Sequence, residues 1–230
     1  MLFRSLTMSV QAPGHNWDEI APMIKKLGCV EMFDSYEDMK FLNSYQPITS
    51  GNAIFNYSMI ALLVARHLGT PHIIFGNDKS VSNEFNYQGT VINHQFDKTS
   101  EFRNMFNKFI RDNVVEGYTF SSLIEDMSGS QVAKELSNYP DYYKNLCSCN
   151  YASIKKYQQN ENGQCGDCGK CMYTYLCICN AGDKEYADKI FGDMSTRKDL
   201  QDDLLSDEFR DDCFGDKQEC EMLIKSLKEN

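Results

Sequence analysis

The chain has no uninterrupted apolar run of the length a membrane-spanning helix needs. Its most apolar stretch, Ala53 to Ala65, is broken by Asn56 and Ser58. The opening residues, M-L-F-R-S-L-T-M-S-V, lack a basic segment, an apolar core and a cleavage site, so no signal peptide is expected. Positive charge is scarce. Lys and Arg number 23 against 33 Asp and Glu, a net −10 that argues against broad contact with nucleic-acid phosphates. An anionic substrate would need a local cationic pocket. Glycine-rich nucleotide loops are also missing: G-x-G-x-x-G is absent. The nearest approach to a Walker loop is G-Q-C-G-D-C-G-K-C, which fails on two counts. Gly163 is one position too far from Gly169, and Cys171 stands where Ser or Thr would hold magnesium. Neither an internal repeat nor a low-complexity tract is present.

Cysteine, by contrast, is plentiful. Ten cysteines in 230 residues without an export signal favour a reducing compartment, here the cytoplasm, and metal binding over a disulfide framework. Cys165, Cys168 and Cys171 lie on a Gly-rich turn, C-G-D-C-G-K-C, and such spacing lets several sulfurs converge on one point. With Cys149 as the fourth thiolate, a tetrahedral zinc site is complete; Cys147 is the alternative fourth ligand. An iron–sulfur cluster is the competing reading. Ferredoxin runs, however, carry a further cysteine three residues on and then a proline, where this chain has Thr174 and Tyr175. Four thiolates fill a zinc ion's coordination, so the metal would hold structure, pinning the loop over 145–171. Cys29, Cys177, Cys179, Cys213 and Cys220 are read as core residues.

The rest of the chain has an α/β rhythm. Residues 1–48 form a lead-in expected to be helical, with one helix from Asn16 to a Gly28 cap and another after Ser35. A helix from Asn52 to about Leu68, apolar nearly all round, should be buried on most sides and end at Gly69. T-P-H-I-I-F-G-N then reads as a strand buried in a parallel sheet. Ligands of open α/β sheets sit at the carboxyl ends of strands, which puts Gly76 to Ser80 on the ligand side. A second strand is expected at Thr90–Ile92, then an amphipathic helix carrying Phe102, Met105, Phe106, Phe109 and Ile110 on one face. Tyr118 to Ile124 is strand or loop. Short helices follow at Gln131–Leu136, from Lys170, and at Asp183–Phe191, with two more in an acidic tail. The expected division is a lead-in over 1–48, an α/β domain with its zinc loop over 49–182, and a helical segment over 183–230.

One further stretch, N-H-Q-F-D-K-T-S-E-F over residues 93–102, gathers amide, imidazole, amine, hydroxyl and carboxylate groups at a strand end and helix start. Backbone donors with Lys98, Thr99 and Ser100 suit a phosphate or carboxylate, and His94 suits proton transfer. The ordinary structural alternative is that Thr99 and Ser100 cap the helix while His94 is a core residue.

These motifs bring a family into view. G-N-D-K-S at 76–80 resembles the S-N-E-x-S of the epimerases acting on UDP-N-acetylmuramoyl-L-alanyl-L-glutamate. N-Y-Q-G-T-V-I-N-H-Q-F-D-K-T-S-E-F at 86–102 resembles their N-x4-G-x-x-V-N-H-Q-x-S-K-S-x-x-F-E. S-C-N at 148–150 with C-G-D-C-G-K-C resembles a pattern shared with 7-cyano-7-deazaguanine synthases, and D-D-C-F-G-D-K-Q-E-C-E at 211–221 loosely resembles a tail segment. In order, over about residues 50–225, they resemble the carboxyl-terminal part of a PP-loop ATP-pyrophosphatase.

The resemblance implies a Rossmann-like sheet of the adenine-nucleotide-hydrolase type, incomplete at its N-terminus and flanked by helices. It implies ATP with magnesium as co-substrate and activation of a small-molecule acid by adenylation, for epimerisation or, as in a deazaguanine-synthase-like ligase, for amine attack. Asp78, His94 and Lys98 would be catalytic, and Asn77, Ser80, Asn93 and Ser100 would meet nucleotide or substrate. Neither membrane nor nucleic acid is expected as a partner. The chain departs from the pattern in lacking the pyrophosphate-gripping S-G-G-x-D-S loop, and in Asp78 for Glu, Asp97 for Ser and Gly169 for Pro. Either a partner or missing segment supplies the loop, or the chain is a degenerate binding protein that keeps the fold and the zinc.

Overall fold

The structure is a computed structural model, and it describes residues 7–11, 29–34, 53–93, 95–139, 146, 149, 164–206 and 214–229. Among these, strands and helices mix, with six strands in three separate pairs. β1 (Thr7–Gln11) and β2 (Cys29–Asp34) pair in parallel. The described parts of the lead-in are therefore strands that the sequence does not announce, because both runs are too short for their alternation to stand out. The helices expected after Asn16 and after Ser35 lie outside the described residues.

α1 (Ala53–Leu68) ends where expected, with Gly69 in the left-handed region at φ 67° and Thr70 N–H donating to Ala65 O at 2.9 Å. β3 (His72–Phe75) follows and pairs in parallel with β6 (Thr119–Ser122), His72 opposite Thr119 and Phe75 opposite Ser122. Neither element is as buried as its apolar content suggests. Ser58, Ala61, Leu62 and Ala65 bury one face of α1 while Leu63 is 68% exposed; on β3, Ile73 is buried and Ile74 is 56% exposed. β3 packs one face on the helices and leaves the other open, so it alternates in and out like a half-buried strand.

β4 (Phe85–Tyr87) and β5 (Thr90–Ile92) form an antiparallel hairpin closed by Gln88 and Gly89. The expected strand at 90–92 is thus present, in a hairpin of its own. α2 (Ser100–Asn113) is capped by Thr99, whose Oγ1 accepts from Phe102 N–H at 3.2 Å. It buries Phe106 and Ile110, which with Ile73, Phe120 and the α1 face make one apolar cluster. Phe106 and Phe120 meet edge to face, ring centroids 4.9 Å apart. Met105 and Phe109 lie more than half or about half exposed, so the face of α2 that packs is narrower than its sequence suggests.

The second cluster surrounds α4 (Gly169–Asn180), on which Tyr175, Met172, Leu176 and Ile178 are fully enclosed. Around it pack α3 (Gly129–Leu136), α5 (Lys184–Phe191), α6 (Lys198–Leu205) and α7 (Lys217–Glu229). α3 opens with a full capping box, Ser128 and Gln131 each bonding the other's backbone. Asp183 caps α5 by accepting from Tyr186 N–H. The division expected at residue 182 falls between α4 and α5, whose side chains share this core. Cys177 and Cys220 are buried in it and Cys179 is half-buried; the side chains of Cys29 and Cys213 lie outside the described residues. No described helix is long and apolar enough to cross a membrane.

Candidate functional site

Two neighbouring features stand out: a thiol cage at the start of α4 and a cavity along its side. In the cage, the sulfurs of Cys149, Cys165, Cys168 and Cys171 all lie within 4.8 Å of one another, every residue buried. Local sequence explains the convergence. Gly166, at φ 64°, reverses the chain just after Cys165. Asp167 N–H then donates to Cys165 Sγ at 3.4 Å, and Cys171 N–H to Cys168 Sγ at 3.4 Å, so Cys168 caps α4 with its sulfur. Gln164, fully buried, ties in the fourth cysteine. Its Oε1 accepts from Cys149 N–H at 3.1 Å and its Nε2 donates to Leu146 O at 3.1 Å.

The donor set fits a tetrahedral thiolate-bound ion. Metal–sulfur bonds of about 2.3 Å put ligand sulfurs roughly 3.8 Å apart, and Cys165 Sγ and Cys171 Sγ are 3.6 Å apart. An iron–sulfur cluster distributes its cysteines over different irons, which spreads the sulfurs more widely than this cage. The thiols also compete for protons. Hydrogen bonds from Cys165, Cys168 and Cys171 hold the Cys149 thiol far below its ordinary range. The reciprocal hydrogen bonds from Cys149 and Cys165 push Cys168 and Cys171 far above it. Cys149 and Cys165 are both shifted down while Cys168 and Cys171 are shifted up, a conflict that a divalent cation removes. Cys147, the alternative ligand, lies outside the described residues.

The cavity, about 420 Å³, opens between the carboxyl end of β3 and α4. That volume suits a small-molecule site. Asn77, Asp78, Ser80 and Lys98 line it. Asp78 Oδ1 accepts from Ser80 N–H at 2.9 Å and from Ser80 Oγ–H at 2.5 Å, fixing the turn after β3. Asn77 spans the two loops: its Nδ2 donates to Lys98 O at 3.0 Å, and its own carbonyl accepts from Ser122 Oγ–H at 2.6 Å at the end of β6. Lys98 Nζ donates to the buried Gln95 Oε1 at 2.9 Å.

Two other expected residues sit elsewhere. Asn93 is a brace: its Nδ2 donates to Val81 O at 2.9 Å and its Oδ1 accepts from Gln95 N–H at 2.8 Å. Ser100 is exposed at the first turn of α2, outside the cavity lining, with Thr99 as the cap. His94 lies outside the described residues.

The α4 wall holds residues that sequence reasoning passed over. Lys170, Tyr173, Thr174 and Cys177 line the cavity. Tyr173 O–H donates to Glu219 Oε2 at 2.8 Å, while Glu219 Oε1 accepts from Ser130 N–H at 2.9 Å near the start of α3. Burial pushes the Tyr173 phenol and the Cys177 thiol well up, so both stay protonated at neutral pH. For Glu219 burial acts in the same direction, but hydrogen bonds from Ser130, Ser128 and Tyr173 outweigh it and hold the carboxyl below its usual range. A Cβ at Gly129 would collide with the Tyr173 hydroxyl, and one at Gly215 with both Glu219 and Tyr173. The only sequence hint was the loose likeness over 211–221, which contains Gly215 and Glu219.

The MurL N-terminal domain family matches residues 27–123. The chain is also 28% identical over 186 residues to the UDP-N-acetyl-alpha-D-muramoyl-L-alanyl-L-glutamate epimerase of Xanthomonas oryzae pv. oryzae, covering 77% of this chain and 40% of that protein. The proteins of the same name from Salinispora tropica and Micromonospora sp. are 25% and 26% identical. Those two matches span 66% and 72% of this chain, against 32% and 34% of the relatives. The chain thus spans well under half the length of each of these relatives. No solved structure matches it. Its similarity is to the MurL N-terminal domain over β2 through β6, and over most of its length to proteins named as epimerases of a muramoyl dipeptide.

Proposed function

We propose that the cavity is the ligand site of a carboxylate-activating domain that works with ATP and magnesium on a glutamyl acid of the muramoyl type. The carrying observation is that Asn77, Asp78, Ser80 and Lys98, from two motifs some twenty residues apart, line one cavity at a parallel strand's carboxyl end. These residues fall within the 27–123 match, and the relatives' printed names supply the substrate class. On this reading the two parallel strand pairs are parts of one Rossmann-like sheet.

In the proposed reaction a substrate carboxylate attacks the α-phosphorus of ATP and pyrophosphate leaves. The resulting mixed anhydride withdraws electrons from the neighbouring carbon, so its α-proton is more easily removed. Reprotonation on the opposite face inverts the centre, and hydrolysis of the anhydride returns carboxylate and AMP. Lys98 offsets anionic charge, and Asp78 and His94 handle protons. Asn77 and Ser80 hold the strand-end turn that faces the ligand; Asn93 and Ser100 contribute to the shape of the 93–100 loop. Zinc, held by Cys149, Cys165, Cys168 and Cys171, would supply structure only, clasping the cysteine loop to the start of α4.

The loop that grips pyrophosphate is expected from another segment or a partner chain. A binding protein that has lost turnover is the second reading, favoured by the absence of S-G-G-x-D-S from these residues. Incubation with ATP, magnesium and UDP-N-acetylmuramoyl-L-alanyl-L-glutamate, with pyrophosphate monitored, separates them. We expect the chain alone to release little, and release to rise when the missing segment is added. No rise with that segment present favours the binding protein, whereas robust release by the chain alone overturns the need for a partner.

A further inference from the structure

We propose that the Gln95 carboxamide and the Lys98 ammonium act as one donor pair that grips a single carboxylate or phosphate group of the ligand, the Gln95 amide hydrogens touching it directly. This rests on the reading of the cavity as the ligand site. Gln95 lines the cavity and is only 6% exposed, an uncommon place for a polar side chain. Half of its carboxamide is already engaged: Oε1 accepts from Lys98 Nζ at 2.9 Å. An ammonium offers donors alone, so the carboxamide oxygen faces Lys98 and the NH2 group faces away from it. Among the described residues no acceptor meets that NH2 group. Nor is Gln95 Nε2 sealed in the interior, as the unpartnered Nη1 of Arg103 is. The amide nitrogen is therefore reached from outside, and the space that Gln95 lines is the cavity. A buried carboxamide with its donors unspent is a half-made site that a ligand oxygen completes.

The backbone that carries both side chains is fixed. Gln95 N–H donates to Asn93 Oδ1 at 2.8 Å, and Gln95 O accepts from Lys98 N–H at 2.8 Å across the short 3-10 turn Phe96–Lys98. Asn93 Nδ2 is tied in turn to Val81 O, and Lys98 O to Asn77 Nδ2. Asparagine amides thus clamp the turn at both ends. Donors held in place lose little freedom on binding, which favours the ligand. Lys98 forms no ion pair among the described residues, so no carboxylate competes for its remaining N–H donors. An acceptor bonded by Nζ and Nε2 together makes charge-assisted hydrogen bonds if it is anionic. Val81, Val132 and Leu136 elsewhere in the lining lower the local dielectric and strengthen that attraction. Gln95 adds selectivity. With its oxygen engaged it presents hydrogens alone, and so favours an acceptor over an ammonium in the same place.

The test uses the full chain with its metal and two probes, inorganic pyrophosphate and the dipeptide L-alanyl-L-glutamate, titrated calorimetrically. At least one should bind saturably. Tighter pyrophosphate binding identifies a phosphate site; tighter dipeptide binding identifies a carboxylate site. Q95M should weaken that binding roughly tenfold or more, the scale of a hydrogen bond to a charged group. A double-mutant cycle separates direct contact from mere support of Lys98. If Gln95 touches the anion, K98M with Q95M binds more weakly than K98M alone; if it acts only through Lys98, the two bind alike. Nitrogen-15 NMR of the parent reads the contact without any variant, and decides the matter if Q95M does not fold. The Gln95 side-chain amide resonance, assigned by triple resonance, should shift as the probe saturates. Absence of binding by both probes, parent-like binding by folded Q95M, no further loss in the double variant, or an unmoved Gln95 amide resonance overturns the proposal. Failure of the nucleotide-linked substrate to bind, with Gln95-dependent probe binding intact, would sink the epimerase reading and leave the anion pair standing.

Discussion

The Tyr173 hydroxyl donates to Glu219 Oε2 at 2.8 Å, joining the wall of the cavity on α4 to the first turn of α7. Glu219 also accepts from Ser130 N–H, so three helices meet at one buried carboxylate. E219Q should destabilise the fold by about 1–3 kcal/mol, because a buried charge-assisted acceptor is lost. Y173F should cost less, about 1 kcal/mol. Urea unfolding of both variants checks the order; equal and negligible losses would contradict it.

The same carboxylate predicts acid sensitivity. Its folded value lies below the unfolded one, near 4.3 for a free glutamate, so the unfolded chain binds more protons as pH falls. The stabilisation is present above the unfolded value and disappears as pH drops through the folded one. E219Q should therefore flatten the acid limb of a stability-against-pH profile below about pH 4.5. An unchanged limb would remove Glu219 from the account.

Close approach at the same point leaves no free space for a Cβ at Gly129 or Gly215. G215A places a methyl against both Glu219 and Tyr173, and should cost about 1–3 kcal/mol by overpacking. G76A, at a site with open space around a Cβ, is the control and should melt close to the parent. Comparable melting of the two variants would show that the contact is looser than described.

Removing a cage sulfur should have the largest effect on stability. C168S should lose bound zinc and destabilise the chain strongly, since metal binding is coupled to folding. Elemental analysis with melting curves reads both effects. Iron in place of zinc would replace the metal assignment, and unchanged melting with unchanged zinc would show that Cys168 is no ligand.

The cysteine cage and the strand-end loop were legible in sequence for different reasons. Three cysteines in seven positions constrain geometry by spacing alone, and the cage collects the expected four sulfurs. Asn77, Asp78 and Ser80 follow a strand that apolar, β-branched residues announce. What sequence could not show is how much of each apolar element finds a partner. Leu63 and Ile74 read as core and stand exposed, because periodicity reports amphipathicity without saying what covers the second face. Asn93 enters as a ligand contact only through its place in the resembling motif, and what the fold adds is that its amide braces Val81 and Gln95. Glu219 was missed for the opposite reason: an acid in an acidic tail looks solvated, and only the fold brings Tyr173 and Ser130 to it.

The claim on which the rest depends is that the cavity between β3 and α4 binds the glutamyl substrate. Titrating the chain with UDP-N-acetylmuramoyl-L-alanyl-L-glutamate, and repeating it with N77A and K98M, tests this directly. N77A removes the bond to Lys98 O that ties the two loops together, and K98M removes the ammonium. The account predicts saturable binding by the parent and roughly tenfold or greater weakening in each variant, with zinc content unchanged. No binding by the parent, or equal binding by all three proteins, would contradict it.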